Sequence, residues 1–180
     1  MFVPKNKQQL RVLVKNERQK IPKKHLDSIA SKIMMQLTQS FTWKNKVVNL
    51  FLPIQKFNEI DLRPFVRNIQ ESGGQVSINR SDFNTYDMTP ILWDRDLLIH
   101  ENSYGIPEPV GGSMIEKNKI DFVLVPMLAF NTRGHRLGYG KGFYDRFLSK
   151  VSDSCITIGI CHQDKPSAFE GIEKNDIALD

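Results

Sequence analysis

The chain has 180 residues, long enough for one domain with a sizeable core. Its 40% hydrophobic and 25% charged residues exclude a fibrous or low-complexity chain, and its longest apolar run, FVLVPMLAF, is too short to cross a bilayer as a helix. The 25 Lys and Arg against 20 Asp and Glu leave a net charge of +5, which favours phosphates, nucleic acid, acidic membranes or polycarboxylates as partners without choosing among them.

The N-terminal stretch MFVPKNKQQLRVLVKNERQK has neither an apolar core segment nor a small-residue cleavage site, so no secretory signal is expected. In IPKKHLDSIASKIMMQL, residues 21–37, Leu26, Ile29, Ala30, Ile33, Met34 and Leu37 recur at helical spacing opposite a Lys- and Ser-rich face. That pattern predicts a helix laid on a sheet. VVNLFLPI, residues 47–54, reads as a strand. DLRPFVRNIQESGG follows as a helix with Leu62, Phe65, Val66 and Ile69 on one stripe and Gly73 and Gly74 as its stop. QVSINR, residues 75–80, reads as a second strand, and residues 81–112 show no regular pattern.

IDFVLVPMLAF, residues 120–130, is nearly continuous apolar, as expected for a strand covered on both faces. Phe143, Phe147, Leu148 and Val151 suggest a helix, and CITIGICH, residues 155–162, another buried strand. On such a strand Cys155 and Cys161 share a face about 20 Å apart. Their separation excludes an intrachain disulfide and predicts two buried thiols in a reducing compartment, the cytoplasm. There is no internal repeat and no linker, so residues 1–180 read as a single α/β domain. The alternation of strands and helices predicts a mostly parallel sheet with helices on both faces; fold analogy alone makes it Rossmann-like and similar to sugar-phosphate isomerase and CoA-transferase folds. Ligands of such sheets bind beyond the carboxyl ends of the strands.

RLGYGKGFYDRFL, residues 136–148, lies at one of those ends. Gly138, Gly140 and Gly142 can adopt positive φ and admit another group close to the backbone. Successive N–H groups in such a turn can form an anion-binding nest, and a following helix adds its positive end. Arg136 and Lys141 add full charges. Asp145 beside a phosphate is explained by a magnesium ion shared between carboxylate and phosphate oxygens. The alternative is a plain strand-to-helix connection with Asp145 as an ordinary first-turn acid. The GxGxG spacing matches neither a Walker A loop nor GxGxxG. His25, His100, His135 and His162 are scattered, giving neither a His–Cys metal cluster nor a recognisable Ser–His–Asp arrangement.

VLVPMLAFNTRGHRLGYGKGFYDRFL resembles the signature of the 5-formyltetrahydrofolate cyclo-ligase family, also called methenyltetrahydrofolate synthetase. KQQLR (7–11), LFLPIQKFNEID (50–61), GIPEP (105–109) and EKNDIALD (173–180) are similar to further segments of that family, so the resemblance touches nearly the whole chain. It implies an enzyme that uses ATP and magnesium to cyclise 5-formyltetrahydrofolate to 5,10-methenyltetrahydrofolate, releasing ADP and phosphate through a phosphorylated formyl oxygen. It assigns ATP to Lys7, Arg11, Arg136, Gly138, Tyr139, Gly140, Lys141, Gly142 and Asp145, and magnesium to Asp145 and Asp176. Lys7 and Arg11 stand at i and i+4 of an N-terminal helix, on one face. It assigns the folate to Leu52, Glu59, Tyr139 and Tyr144, since a carboxylate accepts well from a pterin's ring N–H and amino group. Lys141, Arg136 and Tyr144 are the implied catalytic side chains.

The chain departs from the family pattern at Met127, where glycine is usual, at Asn131, where Asp is usual, and at Phe143, where Tyr is usual. The loop carrying Glu59 is one residue off the family's spacing, and relatives often continue into a further short strand past the position of Asp180. The implied protein is a cytoplasmic monomer acting on a folate, polyglutamylated or not, with no membrane or nucleic-acid partner. Two other readings stay open on the residues alone. One is a basic nucleic-acid module using Arg136, Lys141 and Arg146 with Tyr139, Phe143 and Tyr144. The other is a sugar-phosphate or acyl-CoA enzyme on a similar sheet.

Overall fold

The computed structural model of the protein describes residues 6–180; residues 1–5, part of the stretch read above for a targeting signal, lie outside the described residues. Helix α1 (Lys7–Gln19) starts at Asn6, whose side chain accepts from the Gln9 N–H at 2.9 Å and so caps one of the free amides of the first turn. Helix α2 (Lys23–Ser40) follows after a short turn. Then come β1 (Val47–Leu50), a 3-10 turn at Gln55–Phe57, α3 (Arg63–Glu71), β2 (Gln75–Asp82), β3 (Asp87–Leu92), β4 (Leu98–Glu101) and β5 (Pro107–Val110). The C-terminal half holds β6 (Phe122–Pro126), β7 (Ala129–Phe130), β8 (Arg136–Leu137), α4 (Phe143–Leu148) and β9 (Ile156–Ile160).

The main sheet has the order β3-β2-β1-β6-β9. Strands β2, β1, β6 and β9 are parallel, and β3 closes one edge antiparallel to β2. One face carries Val48, Leu50, Val76, Ile78, Phe122 and Leu124 beneath Ala30 and Leu37 of α2 and Phe65, Val66 and Ile69 of α3. Trp43 meets both Phe65 and Phe122 edge-on there, with ring centroids 5.5 and 4.9 Å apart. The other face carries Val123 and Val125 beneath Phe147 and Leu148 of α4, with Ile177 and Leu179 packed alongside. Helices therefore cover both faces, as the alternating pattern implies. Leu10 and Val14 of α1 pack on Leu128, Ala129 and Leu137, which follow β6. That contact draws α1 to the carboxyl ends of the parallel strands.

Several expectations need correction. β1 stops at Leu50 rather than at 54, because the chain leaves the sheet there and the Ile54 N–H is taken by the Glu59 carboxylate at 2.8 Å. The stretch 81–112 is not irregular. β2 runs on to Asp82 and pairs with β3, and β4 pairs with β5 in a hairpin. The apolar run 120–130 splits into β6 and β7, and β7 pairs with β8 across the Asn131 turn. Asn131 Oδ1 accepts from the N–H groups of Arg133 and His135 at 2.9 and 3.1 Å, so its role is to shape that turn. The last predicted helix, α4, has only six residues. Both cysteines are free, but only Cys155 is buried; Cys161 is half-buried. Among the described residues no helix is long and apolar enough to cross a membrane.

Candidate active site

β8 delivers Arg136 and Leu137 into the glycine turn, and α4 begins directly after it. Gly140 and Gly142 adopt φ of 90° and 71°, a region costly for a side-chain-bearing residue. Gly138 is not in that region, against expectation; its carbonyl accepts from Arg11 Nε at 2.9 Å, and a Cβ on it would meet open space. The Arg11 guanidinium lies over Gly140, where an added Cβ would sit 3.1 Å from its Cζ. The second and third glycines thus serve the turn, and Gly140 also makes room for a cation of α1. Because α4 is so short, the field at this turn comes mainly from side-chain charges rather than from a long helix dipole.

Two ion pairs flank the turn. Arg136, whose side chain is 6% exposed, donates from Nη2 to Asp145 Oδ1 at 2.6 Å and from Nη1 to the Ile177 carbonyl at 2.7 Å. The Ile177 N–H donates back to the same Asp145 oxygen at 3.2 Å. Lys7 Nζ donates to Asp176 Oδ2 at 2.5 Å, and the Glu173 N–H holds that oxygen at 2.9 Å. Partial burial works to raise the Asp176 carboxyl, but the bonds from Lys7 and Glu173 outweigh it and leave it below its ordinary range. The structure therefore brings Lys7, Arg136, Asp145 and Asp176 together through the segment 173–177. Lys141 is exposed, with its ammonium 6.0 Å from the Tyr86 ring centroid and its carbonyl bonded to Arg146 Nη1 at 3.1 Å. Among the described residues no bond joins it to Arg136.

A second cluster sits at the ends of β1, β6 and β9. Glu59, 8% exposed, accepts from Ile54 N–H and from the Tyr139 hydroxyl. Burial raises the Glu59 carboxyl above its ordinary range, partly offset by the Ile54 and Tyr139 bonds and by the charge of Arg18. Burial, and then the Glu59 charge, hold the Tyr139 and Tyr144 phenols protonated well above their usual range. Tyr139 donates to Glu59 and Tyr144 keeps its proton, so Tyr144 is suited to hydrogen bonding rather than to proton abstraction. Tyr144 bonds with Asn79, which belongs to a network with Asn49 and Ser77 across β1 and β2. Leu52 is buried in the core beside this cluster. Tyr139 stacks on Phe57 with centroids 5.3 Å apart, and Phe143 meets Phe83 and Tyr86 edge-on. The three aromatics that a nucleic-acid strand would stack on are all half-buried and engaged with other rings.

Met127, the departure from glycine, is buried with its Cε where a Cβ on Gly159 would come within 2.4 Å. Its thioether fills the space that Gly159 leaves. Arg18 is absent from the sequence assignments and is 4% exposed, and its Nη2 donates to the Tyr139 hydroxyl at 2.5 Å. A signal for it exists: Arg18 follows Arg11 by about two helical turns, on the same side of α1. His162 carries no sequence signal, because only the fold sets it beside Met127 and Glu59.

No group of three or more His, Cys, Asp or Glu is placed to hold a metal among the described residues. Magnesium does not need one. It keeps several waters and commonly binds one or two carboxylates together with substrate phosphates. Asp145 and Asp176, each partnered by a cation of the kind that binds phosphate, fit that donor set.

Residues 3–170 match the family model described as the 5-formyltetrahydrofolate cyclo-ligase family. The 5-formyltetrahydrofolate cyclo-ligase of Mycoplasma genitalium is 31% identical over 93% of this chain and 90% of its own. A probable 5-formyltetrahydrofolate cyclo-ligase of Schizosaccharomyces pombe is 26% identical over 97% of this chain and 92% of its own. The solved 5,10-methenyltetrahydrofolate synthetase of Mycoplasma pneumoniae superposes with a TM-score of 0.73 at 26% identity, covering 97% of this chain and 95% of that one. The NMR structure of the Aquifex aeolicus 5,10-methenyltetrahydrofolate synthetase gives a TM-score of 0.73 at 25% identity, over 97% and 87%. With the family model spanning nearly all of the chain and the fold in agreement, the chain belongs to the 5-formyltetrahydrofolate cyclo-ligase family and is an enzyme.

Proposed function

We propose that the protein, acting as one α/β domain, converts 5-formyltetrahydrofolate to 5,10-methenyltetrahydrofolate with ATP and magnesium, releasing ADP and phosphate. One observation carries the reading: charges from both ends of the chain and its signature are linked beside one glycine turn, Arg11 to the Gly138 carbonyl, Arg136 to Asp145, and Lys7 to Asp176, whose neighbour Ile177 bonds to Asp145 and Arg136. Structural burial alone gives no reason for so many charges to meet there. A triphosphate gives one.

The formyl oxygen must leave for the ring to close, and hydroxide is a poor leaving group. Transfer of the γ-phosphoryl to that oxygen converts it into a phosphate ester, the second folate nitrogen closes the ring, and phosphate departs with the oxygen. Such a reaction asks mainly for positioning and charge stabilisation. Arg11 and Lys7 hold the nucleotide from α1. Arg136 and Lys141 neutralise the transferring group, with Arg136 kept straight by the Ile177 carbonyl. Asp145 and Asp176 would hold magnesium, which supplies neutralisation of the phosphate oxygens. Glu59 accepts the pterin donors, and Tyr144 donates a hydrogen bond toward the substrate. Leu52 lies within the core that supports this pocket. The reading includes a monomer in the cytoplasm, with the +5 charge suited to ATP and to a polyglutamylated folate.

The test is near-ultraviolet absorbance on mixing purified protein, 5-formyltetrahydrofolate, ATP and magnesium. The product is more conjugated than the substrate, so a rise that needs both ATP and magnesium is expected. A flat trace with every component present rejects the reading.

A further inference from the structure

Arg18 is a buried cation that the reaction above leaves without a task. Its guanidinium bonds to the Tyr139 hydroxyl rather than directly to a carboxylate, and that hydroxyl donates in turn to Glu59. The carbonyl of Arg18 accepts from Asn58 Nδ2 at 3.2 Å, which anchors the end of α1 to the loop that carries Glu59. Arg18 Nε is buried without a partner, and so is His162 Nδ1. Both residues line a cavity of about 10 Å³ with Glu59, Phe51, Ile60, Pro126, Met127 and Ile160. Such a cavity lies where ligands of parallel sheets bind, beyond the strand ends.

A carboxylate in so closed a setting is costly to ionise unless a positive charge is near. Recognition of two ring donors needs the ionised form, because a protonated carboxyl has lost half its accepting capacity. The groups facing Glu59 are Arg18 from α1, Tyr139 from the glycine turn, Tyr144 from α4, His162 after β9 and the Ile54 N–H. The two phenols are neutral, and His162 is driven to about 4 by burial and the Arg18 charge, so it is neutral at pH 7. Lys15 lies over the Tyr139 ring face, 5.0 Å from its centroid. Arg18 is the cation bonded into the pair.

We propose that Arg18 is a positioning residue for substrate recognition: acting through the Tyr139 hydroxyl, it balances the buried charge of Glu59 and fixes the direction in which that carboxylate accepts. The inference rests on the reading of Glu59 as the acceptor of the folate ring donors. Arg18 does not touch the reacting atoms. It couples α1, which also carries the cations assigned to ATP, to the folate end of the site.

The test compares wild type with Arg18→Gln, which keeps a donor but removes the charge, and Arg18→Lys, which keeps the charge. Carbon NMR of glutamate labelled at the side-chain carboxyl follows the Glu59 titration in the protein without substrate. Steady-state kinetics give KM for 5-formyltetrahydrofolate and for ATP across pH. The Glu59 titration moves to higher pH in Arg18→Gln and returns toward wild type in Arg18→Lys. The folate KM at pH 7 rises by about tenfold in Arg18→Gln, the value of one charge-supported hydrogen bond. The ATP KM stays within about twofold, and the acid limb of kcat/KM for folate moves to higher pH. An unmoved Glu59 titration in folded Arg18→Gln overturns the proposal, as does a moved titration with an unchanged folate KM. If Arg18→Gln does not fold, Arg18→Met takes its place, keeping an unbranched stem in the buried site without the charge: the Glu59 titration rises, and no rise overturns the proposal. A wild type that neither binds nor cyclises the folate, with the Glu59 titration still set by Arg18, rejects the folate reading and leaves the charge balance supported.

Discussion

Lys7 and Asp176 stand 169 positions apart in the chain and 2.5 Å apart in space, tying the first turn of α1 to the C-terminal segment. Their side chains are 15% and 26% exposed, so solvent screens the pair and its contribution to stability is about 1 kcal/mol. The depressed Asp176 carboxyl sets the sign: the contribution is present above the ordinary carboxylate range and is lost as pH falls through the folded value. Lys7→Met is expected to cost about 1 kcal/mol in denaturant unfolding at pH 7 and less once the pH is low enough to protonate Asp176 in the folded chain. Its KM for ATP rises by about tenfold or more, because a charge assigned to the triphosphate is gone. An equal stability loss at both pH values would show that packing of the lysine stem, not its charge, is what matters.

Asp145 is the partner of an arginine that is almost wholly buried. Removing the acid leaves Arg136 bonded only to the Ile177 carbonyl, with Asp176 as its remaining, unbonded counter-charge. Asp145→Asn is therefore expected to lose about 2 kcal/mol, less than a fully buried pair because Asp145 is itself partly exposed. It should also lose about 100-fold or more in kcat. Thermal melts separate the two effects. Magnesium and ATP together raise the Tm of the wild type, and that increment shrinks in Asp145→Asn. A full increment in the variant would remove Asp145 from the metal assignment.

Gly140 and Gly171 share a positive φ, 90° and 81°, but not their surroundings. A Cβ at Gly140 would meet the Arg11 guanidinium at 3.1 to 3.3 Å, and one at Gly171 would meet nothing within 4 Å. Backbone strain alone predicts that Gly140→Ala and Gly171→Ala each lose about 1 kcal/mol. Only Gly140→Ala displaces Arg11, so only it raises the KM for ATP. Equal kinetics in the two variants would dissociate Arg11 from nucleotide binding.

The parts of this arrangement that were legible in the chain are those encoded locally. Leu26 to Leu37 and Leu62 to Ile69 carry a helical period that nothing in the tertiary structure contradicts. The glycine turn announces itself by composition, though Gly138 proved to serve as a carbonyl acceptor rather than a positive-φ position. Strands β3 to β5 were illegible because an antiparallel edge and an exposed hairpin need no continuous apolar run. All four residues of β4 are exposed, so the pattern that marks a buried strand is missing. Asn131 could be read as a change confined to a turn, and its side chain does bond within that turn. The Arg18–Tyr139–Glu59 chain could not be assembled in advance. Its members come from α1, the glycine turn and the loop after β1, and only the docking of α1 across the strand ends makes them neighbours.

His162 supplies a pH dependence with a definite sign. Burial, aided by the Arg18 charge, lowers its pKa from 6.5 to about 4 in the folded chain. Between those values the unfolded chain binds a proton that the folded one refuses, so stability falls as pH drops through that window. Because His162 is only half-buried, the loss is on the order of 2 kcal/mol. Glu59 works the other way: its raised carboxyl takes up a proton more readily when folded, which favours the folded state as pH falls. The wild-type curve alone therefore mixes two opposed titrations. His162→Gln removes one of them. Denaturant unfolding of both proteins at closely spaced pH values from 7 to 4 should show the variant losing less stability than the wild type, with the two curves diverging most between 6.5 and 4. Parallel curves would mean that His162 titrates in the folded protein as freely as in the unfolded one, and that its surroundings are wetter than the cavity wall it shares with Arg18.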